Sequence, residues 1–279
     1  MSRPRIGVAL GGGGARGLAH IAMLEVFDEL GVKPHRMAGT SMGALVGAAY
    51  ASGLTAAEIR DHAELVLSNR VKLARRLLSR SDASLAALIS FQAYGPMMVN
   101  GLRLTQLFFP PGVPERIEQT DIDFTVSATD YYDRKEIVLH RGPMREVVAA
   151  SIAIPGLIAA PRINDRMIID GAMVNPVPVD HVCRHVDLTV AIDVTGGPIV
   201  RRRRRGPSNT ELIFGATQIM QRQISALRRK ENPPDIDVEP SVDQFRVFDF
   251  FKIREILAAA QPAKERLKRQ LGSALDGER

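Results

Sequence analysis

Two short apolar runs, each stopped by glycine and each followed by a helical pattern, constrain this chain more than any other feature. Ile6–Leu10 ends in Gly11-Gly-Gly-Gly14. A helix pattern follows through Leu30, with Glu25, Asp28 and Glu29 along one face and Gly31 just past its end as a cap. Val32–Ala38 is a second strand, closed by Gly39-Thr-Ser-Met-Gly43 and followed by another apolar helix. Strand, turn and helix, twice over within about fifty residues, make the beginning of a parallel α/β sheet.

Composition sets the remaining bounds. A chain of 279 residues suits one large domain or two small ones, and 45% hydrophobic with 24% charged residues excludes disordered, collagenous and coiled-coil classes. The single cysteine, Cys183, rules out a disulfide scaffold and points to a reducing compartment. Met1-Ser-Arg-Pro-Arg5 runs straight into the first strand with no apolar h-region, so no signal peptide and a cytoplasmic location are expected. Met37–Ala57 carries no charge and is long enough to span a bilayer. Its wealth of Gly, Ala, Ser and Thr predicts a closely packed buried helix instead.

Lys+Arg 37 against Asp+Glu 31 gives a net charge of +6. Residues 1–200 hold 20 basic and 20 acidic side chains, so the whole excess lies in residues 201–279, at its densest in Arg201–Arg205. Such a run is a solvated loop or a contact for a polyanion, whether phospholipid headgroups or nucleic acid. Further along, Thr55-Ala-Ala-Glu58 is a capping box, and Asn69–Pro111 is irregularly helical with many Leu, Phe and Met residues. That segment suits a lid or plain core helices. Asp121–Ala128, Glu136–His140, Met167–Ile169 and Leu188–Val194 read as strands, and a helix through Ala149–Ile152 stops at Pro155-Gly156. Ser208-Asn-Thr-Glu211 opens a long helix. With no internal repeat, a single domain over 1–279 is expected, with a core over 6–194, a basic linker at 198–208 and a helical part at 208–279.

Three elements carry chemistry. The first is Gly11-Gly-Gly-Gly-Ala-Arg-Gly17 between strand and helix, where backbone N–H groups and a helix N-terminus favour an anion. A phosphate and a developing oxyanion both fit. Gly12, Gly14 and Gly17 also satisfy G-x-G-x-x-G, so a dinucleotide fold is a rival. The second strand ends without the acidic residue that such a fold uses on the ribose, and only Arg36 is near, suited at best to a 2′-phosphate. The second element is the G-x-S-x-G elbow Gly39–Gly43, which exposes Ser41 at a strand–helix junction. The third is Asp170-Gly171-Ala172, a carboxylate at a strand end. Only two strands precede Ser41, which argues against an α/β-hydrolase fold, and none of the six histidines is an evident base. His181 and His185 flank Cys183, but without a fourth ligand they read as a surface helix, not a metal site.

Together these residues resemble the patatin-like phospholipase family, lipid acyl hydrolases that include patatin, cytosolic phospholipase A2 relatives and neuropathy target esterase. The family pattern runs G-G-G-x-[RK]-G, then G-x-S-x-G, then D-G-[AG]; all three are present in that order, with Ala150-Ser-Ile-Ala-Ile-Pro-Gly156 before the aspartate and Val174-Asn-Pro-Val-Pro178 after it. The resemblance covers Ile6–Val194 well and Pro240–Ile256 loosely. It implies a three-layer α/β/α fold with a mainly parallel central sheet, and a Ser–Asp dyad needing no histidine, metal or cofactor. Ser41 would be the nucleophile, Asp170 the proton acceptor, and Gly12, Gly13 and Gly14 the oxyanion loop. Gly17, Gly39, Gly43 and Gly171 would support them, and Arg16 would orient the loop, meet a phosphate, or sit idle on a helix surface. The implied partner is a lipid or ester, with peripheral contact to anionic membrane through Arg201–Arg205 and no nucleic acid. An NADP-binding oxidoreductase and a non-catalytic membrane or nucleic-acid adaptor are the alternatives.

Overall fold

In the computed structural model, which describes residues 4–68, 99–198 and 206–277, β1 (Ile6–Leu10) is buried at every position. It has to be, because parallel neighbours flank it: β2 (Arg36–Thr40) on one edge and β7 (Leu188–Ile192) on the other. β2 begins four residues later than the apolar pattern suggests. The Val32 N–H is spent closing the first helix on the Phe27 carbonyl, and Pro34 has no N–H to give the ladder. The shift carries Gly39 and Thr40 into the strand, so the turn falls on Ser41 itself.

Among the described residues the sheet has eight strands, linked β5-β6-β3-β2-β1-β7-β8, with β4 also paired to β3. β3 (Asp123–Asp130) organises the site. Its antiparallel partner β4 (Lys135–Leu139) covers Val126–Asp130, so the two remaining partners must share the opposite edge. There β2 pairs in parallel with Asp123–Ser127, and β6 (Arg166–Asp170) arrives from the other direction against Ala128–Asp130. β2 ends with Thr40 opposite Ser127, and β6 ends with Asp170 opposite Ala128. The next residue of β2 therefore meets the last residue of β6 head to head. β5 (Arg162–Ile163) forms a short hairpin with β6.

Helices flank this mostly parallel sheet: α1 (Ala19–Glu29), α2 (Met42–Ala51), α3 (Ala56–Leu67), α4 (Gly101–Phe108), α5 (Met144–Ser151), α6 (Asn209–Glu231) and α7 (Ile253–Asp276). α3 starts on the Thr55–Glu58 capping box, and α6 on a second one between Ser208 and Glu211. Met37–Ala51 is buried throughout as β2, the elbow and α2; among the described residues no helix is long and apolar enough to cross a membrane. Residues beyond 194 are not simply helical. β8 (Ile236–Val238) pairs with β7 and extends the same sheet. α7 packs on α1, where Lys264 sits 2.7 Å from Glu25 and 2.6 Å from Glu29. The acidic face of α1 is thus tied to a neighbouring helix and not left to solvent, and Arg60 of α3 pairs with Glu25 as well.

The Arg201–Arg205 run, and residues 69–98 of the segment expected to be a lid or plain core helices, lie outside the described residues. The part of that segment that is described forms a bridge from Val99 to Ile158 and then α4, capped by the Asn100 side chain.

Candidate active site

Ser41 sits between β2 and α2 with φ 53° and ψ −119°, a backbone region that side-chain-bearing residues rarely occupy. Two sets of bonds hold it there. Its carbonyl accepts the N–H groups of Ala44 and Leu45, the first turn of α2, at 2.9 and 3.1 Å. Its own N–H donates to Ser151 Oγ at 2.8 Å, and that hydroxyl donates to the Ser127 carbonyl at 2.6 Å. Close approach explains the flanking glycines: a Cβ on Gly43 would overlap the Leu10 carbonyl oxygen, and one on Gly39 would crowd the backbone of Gly43 and Ala44. Ser151 lies in the Ala150–Gly156 stretch that precedes the aspartate, but nothing local links it to position 41, so its hold on the Ser41 amide is not read from the motif. Ser151→Ala is expected to leave a folded protein with kcat lowered roughly tenfold, the equivalent of one lost hydrogen bond of about 1–1.5 kcal/mol. Steady-state kinetics beside a melting curve would check it.

Asp170 closes β6 and meets Ser41 as the strand geometry requires. Ser41 Oγ donates to Asp170 Oδ2 at 2.7 Å, and Oδ1 accepts the Ala172 N–H at 2.8 Å. The backbone is pinned as well: the Asp170 N–H donates to the Ala153 carbonyl and Thr129 Oγ1 donates to the Asp170 carbonyl. A Cβ on Gly171 would overlap the Ser127 carbonyl oxygen, so this turn needs a residue without one. Both side chains are buried, Ser41 at 4% and Asp170 at 2% exposure. Burial raises the Asp170 pKa to about 6, against the opposing pull of the Ala172 N–H and the Ser41 hydroxyl.

Among the described residues no histidine bonds to either of the pair. His20 is buried with its Nε2 2.8 Å from the Gly11 carbonyl oxygen, and burial lowers its pKa to about 4. It is a neutral prop beneath the glycine loop.

That loop lies directly over the serine. A Cβ on Gly12 would stand 3.2 Å from Ser41 Cβ and 3.2 Å from Ala172 Cβ. The Gly12 N–H, however, donates to the Pro176 carbonyl at 2.9 Å, so it is not a donor in waiting. The N–H groups of Gly13 and Gly14 have no acceptor among the described residues; they open the 3₁₀ turn Gly14–Leu18, whose start supplies no internal partner. Gly14 has φ +58°, which favours glycine, and a Cβ on Gly13 would overlap the Val194 carbonyl oxygen. Gly17 lets the same turn pass the Met42 side chain. The parts of the arrangement are a buried hydroxyl, a carboxylate of raised pKa bonded to it, and a glycine loop packed against it with two amides that have no acceptor among the described residues.

A profile of the patatin-like phospholipase family matches residues 8–182, which takes in all three motifs. The chain belongs to that family. An uncharacterised NTE family protein of Mycobacterium tuberculosis is 34% identical over 210 residues, covering 75% of this chain and 54% of the relative. The chain thus spans about half the length of such relatives. Lysophospholipase NTE1 of Saccharomyces cerevisiae is 25% identical over 278 residues, 92% of this chain and 16% of that one. The crystal structure of VipD from Legionella pneumophila aligns with a TM-score of 0.49 at 14% identity, covering 96% of this chain and 67% of that one.

The remaining residues of this patatin-like site are placed as follows. Arg16 is buried at 1% exposure and is not a surface charge. It donates to the carbonyls of Thr195 and, at 3.0 Å, Phe245, so its guanidinium clamps the end of β7 and the later loop to the glycine turn. Burial lowers its pKa from the ordinary value, against the attraction of Asp243 and Asp193. Arg36, the residue that a 2′-phosphate would have needed, is paired to Asp123 at 2.7 Å. His181 and His185 do not share a surface helix: Val179–His181 is a short 3₁₀ turn, and His185 follows in a left-handed conformation. His181 lies against Glu136 at 2.8 Å, with Asp180 close by. The acceptors of that trio are taken by Asn175 and Arg228, which makes it a hydrogen-bonded network. The Asn175 and Pro176 carbonyls receive Thr40 Oγ1 and the Gly12 N–H, so the stretch after Asp170 ties the elbow and the glycine loop together.

Proposed function

We propose that this chain is a serine lipid acyl hydrolase of the carboxylic ester type, acting through a Ser41–Asp170 dyad and an acyl-enzyme. The observation that carries the reading is the 2.7 Å bond from Ser41 Oγ to a buried Asp170 carboxylate, with no competing histidine among the described residues. Membership of a phospholipase family supports the lipid ester as substrate.

Ser41 Oγ attacks the ester carbonyl carbon as Asp170 Oδ2 takes its proton. The carbonyl oxygen becomes an oxyanion beside the Gly13 and Gly14 N–H groups, next to the N-terminus of α2. Collapse expels the alcohol, which receives the proton from Asp170, and leaves the acyl group on Ser41. Water then attacks the acyl carbon, giving its proton to Asp170; collapse breaks the bond to Ser41 Oγ, which takes that proton back, and the carboxylic acid leaves. A carboxylate at the ordinary value of about 3.9 is a feeble base for an alcohol. Burial brings Asp170 nearer to working pH, and the oxyanion donors supply the larger share of the barrier reduction.

Because the base must be ionised, kcat/KM on a p-nitrophenyl ester is expected to rise with pH through about 6 and then level. A profile flat from pH 5 to 8, or one governed by a group near neutrality that a histidine variant removes, would contradict the dyad. The same shift has a stability consequence. The carboxyl is harder to ionise folded than unfolded, so its favourable contribution is complete below the unfolded pKa and lost as pH rises through about 6. Asp170→Asn is therefore expected to raise Tm at pH 8, and the gain should shrink as the pH is lowered below 6. Thermal melts of both proteins across that range would check it.

A further inference from the structure

β4 carries one acidic side chain, and it turns inward. Glu136 is largely buried, and three groups meet its Oε1: Ser127 Oγ at 2.7 Å, Asn175 Nδ2 at 2.9 Å and His181 Nε2 at 2.8 Å. Burial pushes this carboxyl up, but those bonds outweigh it and hold the pKa below the usual carboxylate value, so the acceptor is ionised. Two of the three groups lead on to the nucleophile elbow. Ser127 is the residue of β3 opposite Thr40, where β2 ends, and its neighbour Ala128 stands opposite Asp170. The Ser127 carbonyl accepts Ser151 Oγ at 2.6 Å, and Ser151 Oγ accepts the Ser41 N–H at 2.8 Å. The same carbonyl is the atom against which Gly171 packs.

The second route runs through Asn175, which is fully buried. Its Nδ2 donates to Glu136 Oε1 and, at 2.8 Å, to Asp180 Oδ1, while its Oδ1 has no partner among the described residues. The two carboxylates alone therefore orient the side chain. Its backbone N–H donates to the Gly171 carbonyl at 2.9 Å, and its carbonyl accepts Thr40 Oγ1 at 2.8 Å. The next carbonyl, of Pro176, accepts the Gly12 N–H. Held through Asn175, this stretch fixes both the residue before Ser41 and the glycine loop against it. His181, the third group, lies between Glu136 and Asp180 and leads to no residue of the elbow.

We infer that Glu136 is a positioning residue for the nucleophile: one carboxylate oxygen fixes the Ser41 amide through Ser127 and Ser151, and the Thr40 side chain through Asn175. The inference rests on the reading of Ser41 as the nucleophile, and it names a residue outside all three motifs as part of what orients it. Both routes need the reach of that oxygen more than its charge. Glu136→Gln keeps an oxygen at the same reach, whereas Glu136→Asp keeps the charge and withdraws it by one methylene. The first measurement is p-nitrophenyl ester turnover per site titrated with a fluorophosphonate, so that unfolded protein is not counted. In Glu136→Asp kcat should fall at least about tenfold with KM within about twofold, and in Glu136→Gln it should stay within about threefold of wild type. Amide hydrogen exchange reads the positioning without any chemistry. The Ser41 N–H should exchange at least about tenfold faster in Glu136→Asp, while the amides of α7 keep their rates. A folded Glu136→Asp protein with wild-type exchange at Ser41 would overturn the inference whatever its turnover, as would a Glu136→Gln protein that loses as much kcat as Glu136→Asp. A uniform rise in exchange across the molecule would overturn it too, since that marks a carboxylate that only stabilises the fold. If the wild type turns over no ester, the hydrolase reading falls and the exchange rates alone decide the role of Glu136, so the two failures are distinct.

Discussion

Ser41→Ala and Asp170→Asn are each expected to abolish ester hydrolysis, and the double variant to be little worse than either. Removing Oγ removes the atom that bonds to the acyl carbon. Removing the Asp170 charge leaves Oγ in place, because the amide can still bond to Ser41 and to the Ala172 N–H, yet takes away the proton acceptor at 2.7 Å. Loss of a positioned general base costs about 10²–10⁴ in rate, and groups that act as one unit lose that rate only once. His181→Ala and His20→Gln test the same point from the other side. Neither histidine touches the dyad, so folded variants should keep most of the activity. Steady-state kcat for the five proteins decides it, and multiplicative losses in the double variant would separate the two residues' roles.

The second large effect is expected at Gly13. A methyl group there would overlap the Val194 carbonyl oxygen, an atom of backbone continuous with β7 that cannot swing aside. Gly13→Ala must therefore move the loop, and the Gly13 and Gly14 N–H groups with it. Losing one well-aimed oxyanion donor costs about 10²–10³ in kcat. The loss should fall on kcat with KM nearly unchanged, because those amides meet charge that exists only in the transition state. Some stability will go as well, about 1–3 kcal/mol for an overpacked backbone contact, so kinetics should be compared well below the Tm of the variant. A folded Gly13→Ala protein with wild-type kcat would remove the loop from the mechanism. Gly12 is a useful contrast. Its N–H is already bonded to Pro176, so its part is to let the loop lie against Ser41.

Much of this site is legible in the sequence itself. The elbow, the aspartate and the glycine loop are local patterns, and each needs its glycines for reasons that act within a few residues. The parallel α/β class is legible for the same reason: hydrophobic runs stopped by glycine recur at strand–helix spacing. What the sequence hides depends on residues far apart. That Ser41 meets Asp170 follows from β3 lending one edge to both β2 and β6, a tertiary fact that no run of residues encodes. Ser151 is 110 positions from the amide it holds. Arg16 looks like a surface charge until Thr195 and Phe245 fold over it. β8 is three residues long, too short to betray itself by alternation, and α1 shows a polar face that packing turns towards α7.

The most direct test of the central claim, that Ser41 is a nucleophile activated by Asp170, is labelling by a fluorophosphonate followed by peptide mapping. The wild type should carry the label on Ser41 and on no other serine, with a rate that rises with pH through about 6. Asp170→Asn should label at least about 10²-fold more slowly while remaining folded. Label on Ser151, none at all in a folded protein, or an Asp170→Asn rate equal to the wild type would contradict the dyad.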